Sequence, residues 1–420
     1  MAKNQSLQCP LCQDQVEKLV YRFHVENEQE VIDRIKADHL EWVEEDGVCA
    51  RCLDYYQIEG IRAKKILPEV GPYFSVKSVD DFIILPTSLR LDAEPRFTGK
   101  GITICLIDSG FYLHDDLTKT KNRVKAVIDI TEPSRTTDYF LSPHPESWHG
   151  TMTSVVCAGD GFASNGLYKS IASEAELVLI KTQTTNEKDP NNGRITNQSI
   201  ADALRWVLDQ HKEYNIRIVS ISVGADLTES HSENEINELA EELIKNGIVV
   251  VAAVGNDVNG QIKPPASALS VIAIGGLDDG NQLHASGLGL YHSAYGFTSE
   301  GYVKPELIAN AIWIAAPILP STPEKKEAEH LHALLGLTDY DLAKYVNQNA
   351  KKISKETGLS IGSKIEEANS FRQQIVSRIQ QTKFFSADYM HVDGTSFAAP
   401  IVSSIVAQLL QSNPLLTPAE

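Results

Sequence analysis

The chain has 420 residues, 42% hydrophobic and 22% charged, enough for one large α/β domain and a small one. A net charge of −18 argues against nucleic acid or an anionic membrane as the main partner. No run of about 18 apolar residues exists to span a membrane, and the polar, interrupted first 19 residues are unlike an export signal, so a cytoplasmic protein is expected.

At the N-terminus, Cys9-Pro-Leu-Cys12 and Cys49-Ala-Arg-Cys52 each set two thiols on one tight turn, which suits tetrahedral Zn²⁺. The separation between the pairs is longer than the common ribbon spacing. Two disulfides or a redox pair are the alternatives, and the lack of an export signal disfavours disulfides. Between the pairs, Val31, Ile32, Ile35, Leu40, Trp42 and Val43 fit one amphipathic helix within 16–43, packed on a small core. Residues 1–60 therefore read as a zinc-stabilised module with Cys9, Cys12, Cys49 and Cys52 as ligands. Its acidic run (Glu26, Glu28, Glu30, Asp33, Glu41, Glu44, Glu45, Asp46) points to protein docking or autoinhibition rather than nucleic acid.

Residues 61–98 read as a connector punctuated by Pro68, Gly71-Pro72, Pro86 and Pro95, with 83–86 as a strap along the following domain. From 99 to 420 strands and helices alternate, as a doubly wound, mostly parallel sheet requires. Strands are expected at 102–107, 176–181, 216–221, 248–253 and 271–274. Helices are expected at 198–211, capped by Asn197, and at 233–246, closed by Gly247. The polar loop 184–193 matches no specific Ca²⁺-ligand spacing and reads as solvated. Cys105 and Cys157 lie on apolar elements and read as buried, inert thiols.

Four polar groups stand where chemistry needs them. The strand 102–107 runs into Asp108-Ser109-Gly110, at the carboxyl edge where open α/β sheets place their sites. His149-Gly150-Thr151 opens a small-residue helix. The apolar strand after Ile248 ends in Gly255-Asn256. Gly394-Thr395-Ser396 precedes the apolar run 397–410, so the serine sits at a helix N-terminus with unpaired N–H groups. A serine needs a base and an oxyanion holder to act as a nucleophile. His149 can supply the base, Asp108 can orient it, and the Asn256 amide with the Ser396 N–H can hold the oxyanion.

These motifs, in the order Asp, His, Ser, resemble the subtilisin-like serine proteases. The resemblance covers roughly 80–420 and includes 219–224 (Val-Ser-Ile-Ser-Val-Gly), similar to the family's substrate-binding strand, and Lys304-Pro305-Glu306-Leu307. It implies a serine endopeptidase acting through an acyl-enzyme. A protein or peptide substrate would lie along Ser220, Ser222, Val223 and Gly224, with Val223 and Ala252 hinting at an apolar first pocket. The competing reading is a catalytically silent module that binds a protein partner.

The chain departs from the family after Ala316-Pro317, where Ile318 stands in place of glycine and an insertion, 321–385, precedes the serine. Apolar residues at three- and four-residue spacing (Leu331, Leu334, Leu335; Ile365, Ala368, Phe371, Ile375, Ile379) predict helices at 325–335, 339–358 and 361–382. The insertion reads as a lid or a docking surface for an activator or inhibitor, or as a passive addition. At the end, Thr417-Pro418 reads as a helix start, so a longer native chain is expected.

Overall fold

The computed structural model describes residues 7–11, 13, 15–16, 19–20, 25–49, 52–53, 56, 84–185, 193–224, 230–283, 287–361 and 368–420. Cys12, Ile83, Ile365 and most of the loop 184–193 lie outside them. The chain divides into two compact units, Met1–Ile83 and Ile84–Glu420.

In the first unit, β1 (Leu7–Gln8) pairs antiparallel with β2 (Gln15–Val16), and α1 spans Val25–Asp38. Val31, Ile32, Ile35, Trp42 and Tyr56 form its apolar core. The helix is shorter than its pattern predicts, because Val16 is taken by a strand and the chain turns after Asp38. That turn, closed by Trp42 N–H on the His39 carbonyl, draws Trp42 inward and leaves Leu40 and Val43 86% and 45% exposed, outside the core where their spacing had put them.

The second unit is built on an eight-stranded sheet in the order β12-β8-β7-β6-β3-β5-β4. Its strands are β3 (Thr103–Asp108), β4 (Val124–Asp129), β5 (Glu176–Lys181), β6 (Ile216–Ile221), β7 (Val249–Ala253), β8 (Ile272–Asp278) and β12 (Leu307–Asn310), all parallel, with β9 (Gly289–Leu290) antiparallel to β8. A small hairpin, β10 (Gly296–Phe297) with β11 (Val303–Lys304), lies outside the sheet. The fold is α/β, a doubly wound and mostly parallel sheet, as the alternation of strands and helices predicts. The strands are near-continuous apolar runs because both faces are covered. Cys105, Ile107, Val178 and Ile180 pack on α3 (Asn197–Tyr214) and α4 (Ser230–Lys245). The alternate residues Ile104, Leu106, Leu177 and Leu179 pack on α2 (Ser147–Ala158) and α8 (Thr395–Ser412). Cys105 and Cys157 are fully buried, and desolvation raises both thiols, Cys157 to about 12, as inert cysteines require.

Helix α3 is capped by Thr196 rather than Asn197. Thr196 Oγ1 accepts from the Ser199 N–H at 3.0 Å, and Ser199 Oγ accepts from the Thr196 N–H at 3.1 Å, a reciprocal capping box that leaves Asn197 inside the first turn. Residues 84–92 belong to this second unit. Ile84 is fully buried, and the buried Arg90 guanidinium grips both oxygens of Asp279 at 2.7 and 2.5 Å and donates to the Ile312 and Trp313 carbonyls.

The insertion forms α5 (Pro323–Leu335), α6 (Asp339–Thr357) and α7 (Ala368–Thr382) around its own core of Leu331, Leu334, Leu342, Val346, Phe371, Ile375 and Ile379. It is mounted on a two-stranded ribbon, β13 (Ile314–Pro317) against β14 (Tyr389–Val392), whose far end leads straight into Gly394 and α8. At the last residues, Glu420 accepts from both the N–H and the hydroxyl of Thr417.

Candidate active site

The site lies at the carboxyl edge of the sheet. After β3 the chain builds β4 and β5 on one side, then crosses through α3 to β6 on the other, so the strand order reverses at the β3–β6 pair. Asp108 ends β3, 222–224 leave β6, and Asn256 follows β7. His149 lies on the first turn of α2 and Ser396 on the first turn of α8. The sequence therefore places all four groups on one edge, though they come from positions far apart in the chain.

Asp108 is 1% exposed, and its Oδ1 lies 2.6 Å from His149 Nδ1. The same oxygen accepts the Ser109 N–H at 2.6 Å, and Oδ2 accepts the Thr153 hydroxyl at 2.9 Å. Helix α2 approaches closely because residue 150 is glycine: a Cβ there would stand 2.2 Å from the Gly110 carbonyl and 3.0 Å from Asp108 Cβ. Burial by itself would lower the His149 pKa, but the Asp108 charge and hydrogen bond outweigh it, and the net shift is upward. Trp148, 51% exposed, stands edge-on to the imidazole with ring centroids 5.2 Å apart. It is a rim residue that the motifs did not single out.

Ser396 follows Gly394, whose φ of +139° is unfavourable for any side chain. Its hydroxyl lies 3.5 Å from the Ser222 carbonyl, and no hydrogen bond joins it to His149 among the described residues. Catalytic hydrogen bonds are often long in ligand-free sites and tighten only with substrate. The Ser396 carbonyl would normally accept the amide four residues on, but that residue is Pro400, and the Ser222 hydroxyl donates to it instead at 2.8 Å.

Asn256 is oriented by α8. Its Oδ1 accepts the Thr395 N–H and the Thr395 hydroxyl, both at 2.9 Å, which leaves Nδ2 as the donor beside the Gly394 turn. Its carbonyl meets His292 Nδ1 at 2.8 Å.

The residues expected to bind substrate divide. Gly224 is exposed, and Ser222 and Val223 are half-buried. Ser220 is 2% exposed inside β6, and Ala252 has no exposed surface and packs in the sheet core with Val250 and Ala273. Ser220, expected to lie along the substrate, and Ala252, expected at an apolar first pocket, are thus both buried, because a strand in the middle of a two-faced sheet turns both faces inward.

In the first unit the Sγ atoms of Cys9, Cys49 and Cys52 are buried and within 4.8 Å of one another. Cys9 and Cys52 sulfurs are 3.8 Å apart, and the Cys52 N–H points at Cys49 Sγ at 3.5 Å. An edge of about 3.8 Å is what a tetrahedron with Zn–S bonds of about 2.3 Å requires, so the three thiols fit a metal. Cys12 lies outside the described residues. No described helix is long and apolar enough to cross a membrane.

The model of the family described as "Subtilase family" matches residues 99–420. Serine protease AprX of Bacillus subtilis (strain 168) is 26% identical over 332 residues, covering 77% of this chain and 60% of that protein. The Major intracellular serine protease of the same organism is 25% identical over 224 residues, covering 50% of this chain and 64% of that protein. The chain therefore spans less than two thirds of either relative. Among solved structures, Sphericase is 21% identical with a TM-score of 0.48, covering 77% of this chain and 81% of that one. With the match running through every element that carries Asp108, His149, Asn256 and Ser396, the chain belongs to the subtilase family.

Proposed function

We propose that the chain is a serine endopeptidase that hydrolyses peptide bonds through an acyl-enzyme, with Asp108, His149 and Ser396 as its triad. The observation that carries this reading is the convergence of four groups on one sheet edge, with the imidazole already held by a buried carboxylate at 2.6 Å. A polypeptide lies extended along 222–224. The Ser396 hydroxyl turns from the Ser222 carbonyl toward His149 Nε2, loses its proton to the imidazole and attacks the scissile carbonyl carbon. Asp108 fixes the tautomer and stabilises the imidazolium, and the Asn256 Nδ2 and Ser396 N–H groups hold the oxyanion. His149 then returns the proton to the leaving amine. A water molecule, activated by the same imidazole, releases the acyl group.

The names of the relatives, both serine proteases, support this chemistry. Residues 99–420 form the peptidase domain, 61–98 a connector whose part from Ile84 onward packs with that domain, and 1–60 a module in which Cys9, Cys12, Cys49 and Cys52 hold a structural Zn²⁺. Bound zinc would cross-link the two cysteine turns, a folding contribution rather than a catalytic one. Thiols kept for metal fit a reducing, cytoplasmic compartment. There the zinc module and the insertion 321–385 restrain the peptidase, with a protein activator or inhibitor as partner.

The test is a fluorophosphonate probe on the wild type and on Ser396→Ala, read by intact mass. A single adduct on the wild type alone supports the reading. An unlabelled wild type, with and without prior zinc chelation, sinks it and leaves the binding-module reading. Metal content of wild type beside Cys49→Ser tests the zinc assignment; equal zinc in both would overturn it.

A further inference from the structure

Thr153 lies one turn beyond His149 on α2, on the same face of the helix, and is 1% exposed. Its hydroxyl stands 2.9 Å from Asp108 Oδ2 and 3.1 Å from the Gly150 carbonyl. The hydroxyl has one hydrogen to give. A carboxylate takes it in preference, because charge-assisted bonds are shorter and roughly twice as strong as neutral ones, and the Gly150 carbonyl already has the helix's own donors.

The division of labour on Asp108 is uneven. Oδ1 is shared by the Ser109 N–H and His149 Nδ1, each at 2.6 Å. Oδ2 has one donor among the described residues, Thr153. The side chain is 1% exposed, so water cannot readily stand in. Helix α2 thus grips one carboxylate twice, from His149 on one oxygen and from the residue four positions later on the other.

We infer that Thr153 is a positioning residue of the active site: its hydroxyl fixes the plane of the Asp108 carboxylate so that Oδ1 stays directed at the imidazole. The inference rests on the triad reading above. Without the hydroxyl, Oδ2 is a buried acceptor without a donor among the described residues, and nothing on that side holds the carboxylate plane against rotation.

Thr153→Val removes the hydroxyl and keeps the shape; Thr153→Ser keeps the hydroxyl and removes the methyl. Both are compared with wild type for turnover of a chromogenic peptide, fluorophosphonate labelling rate and thermal unfolding. The valine variant is expected to lose about 10-fold or more in kcat with KM within about twofold, and to label more slowly by the same factor. The serine variant is expected to recover most of both rates. A folded valine variant with wild-type kcat overturns the inference. So does a serine variant as slow as the valine one, which would make the methyl packing the operative contact. Should the valine variant not fold, Thr153→Ala is read in the same way. A wild type that neither turns over nor labels overturns the triad reading, and this inference with it.

Discussion

Ser222 donates its hydroxyl hydrogen to the backbone carbonyl of Ser396 at 2.8 Å, in the place of the amide that Pro400 lacks. The segment that leaves β6 therefore also holds the turn that carries Ser396, the proposed nucleophile. Ser222→Ala leaves that carbonyl without its donor, at a cost of about 1–3 kcal/mol. We expect a lower melting temperature and a fluorophosphonate labelling rate reduced by about 10-fold. An unchanged labelling rate would separate the contact from catalysis.

The Tyr389 hydroxyl donates to Asp116 Oδ2 at 2.5 Å, and Asp116 Oδ1 accepts the Ala163 N–H at 2.8 Å. Both side chains are buried; burial pushes the Asp116 pKa up, against the lowering effect of its partners. Tyr389→Phe keeps the ring among its neighbours and leaves one carboxylate oxygen unpaired. A loss of about 2 kcal/mol is expected in denaturant unfolding, with labelling of Ser396 retained. A neutral substitution would mean that Asp116 finds another donor.

The proposed base, His149, can take a proton only when neutral, and its pKa stands above the ordinary histidine value. Labelling of Ser396 should therefore rise with pH through a midpoint above about 6.5. Stability runs the other way. The folded pKa is higher than the unfolded one, so the imidazolium–Asp108 pair contributes fully below about pH 6.5 and is lost as pH rises through the folded value. A labelling profile with its midpoint below about 6.5 would contradict this order.

Asn256→Asp keeps an oxygen to accept from the Thr395 N–H and hydroxyl, but it removes the Nδ2 donor. If that donor holds the oxyanion, kcat should fall by about 10²–10³ with little change in KM or in melting temperature. A loss confined to KM would move Asn256 from transition-state stabilisation to substrate binding.

Much of this site could be read from the chain because its chemistry is local. Asp108, His149, Asn256 and Ser396 each sit in a short motif at the end of a strand or the start of a helix, and their elements follow from apolar runs. What escaped depends on the third dimension. β4 carries a lysine and half-buried residues, so it lacks the run that marks its neighbours. The Arg90–Asp279 pair joins residues 189 positions apart. Ser220 and Ala252 lie in apparently suitable motifs, and only the covered sheet faces show that they are buried. Thr153 was within reach, since a polar residue four positions after the histidine shares its helix face, but nothing in the spacing says what it meets.

The ribbon beneath the insertion has a consequence for how this protein can change. Its register pairs Pro317 with Tyr389, and just beyond them the Ile318 N–H donates to the Asp388 carbonyl, so the chain leaves and returns at adjacent points. The helices between have their own core. The three-helix segment is thus a cassette on a fixed socket: lineage or laboratory can lengthen it, exchange it or trim it to a tight hairpin while the path into Gly394 keeps its frame.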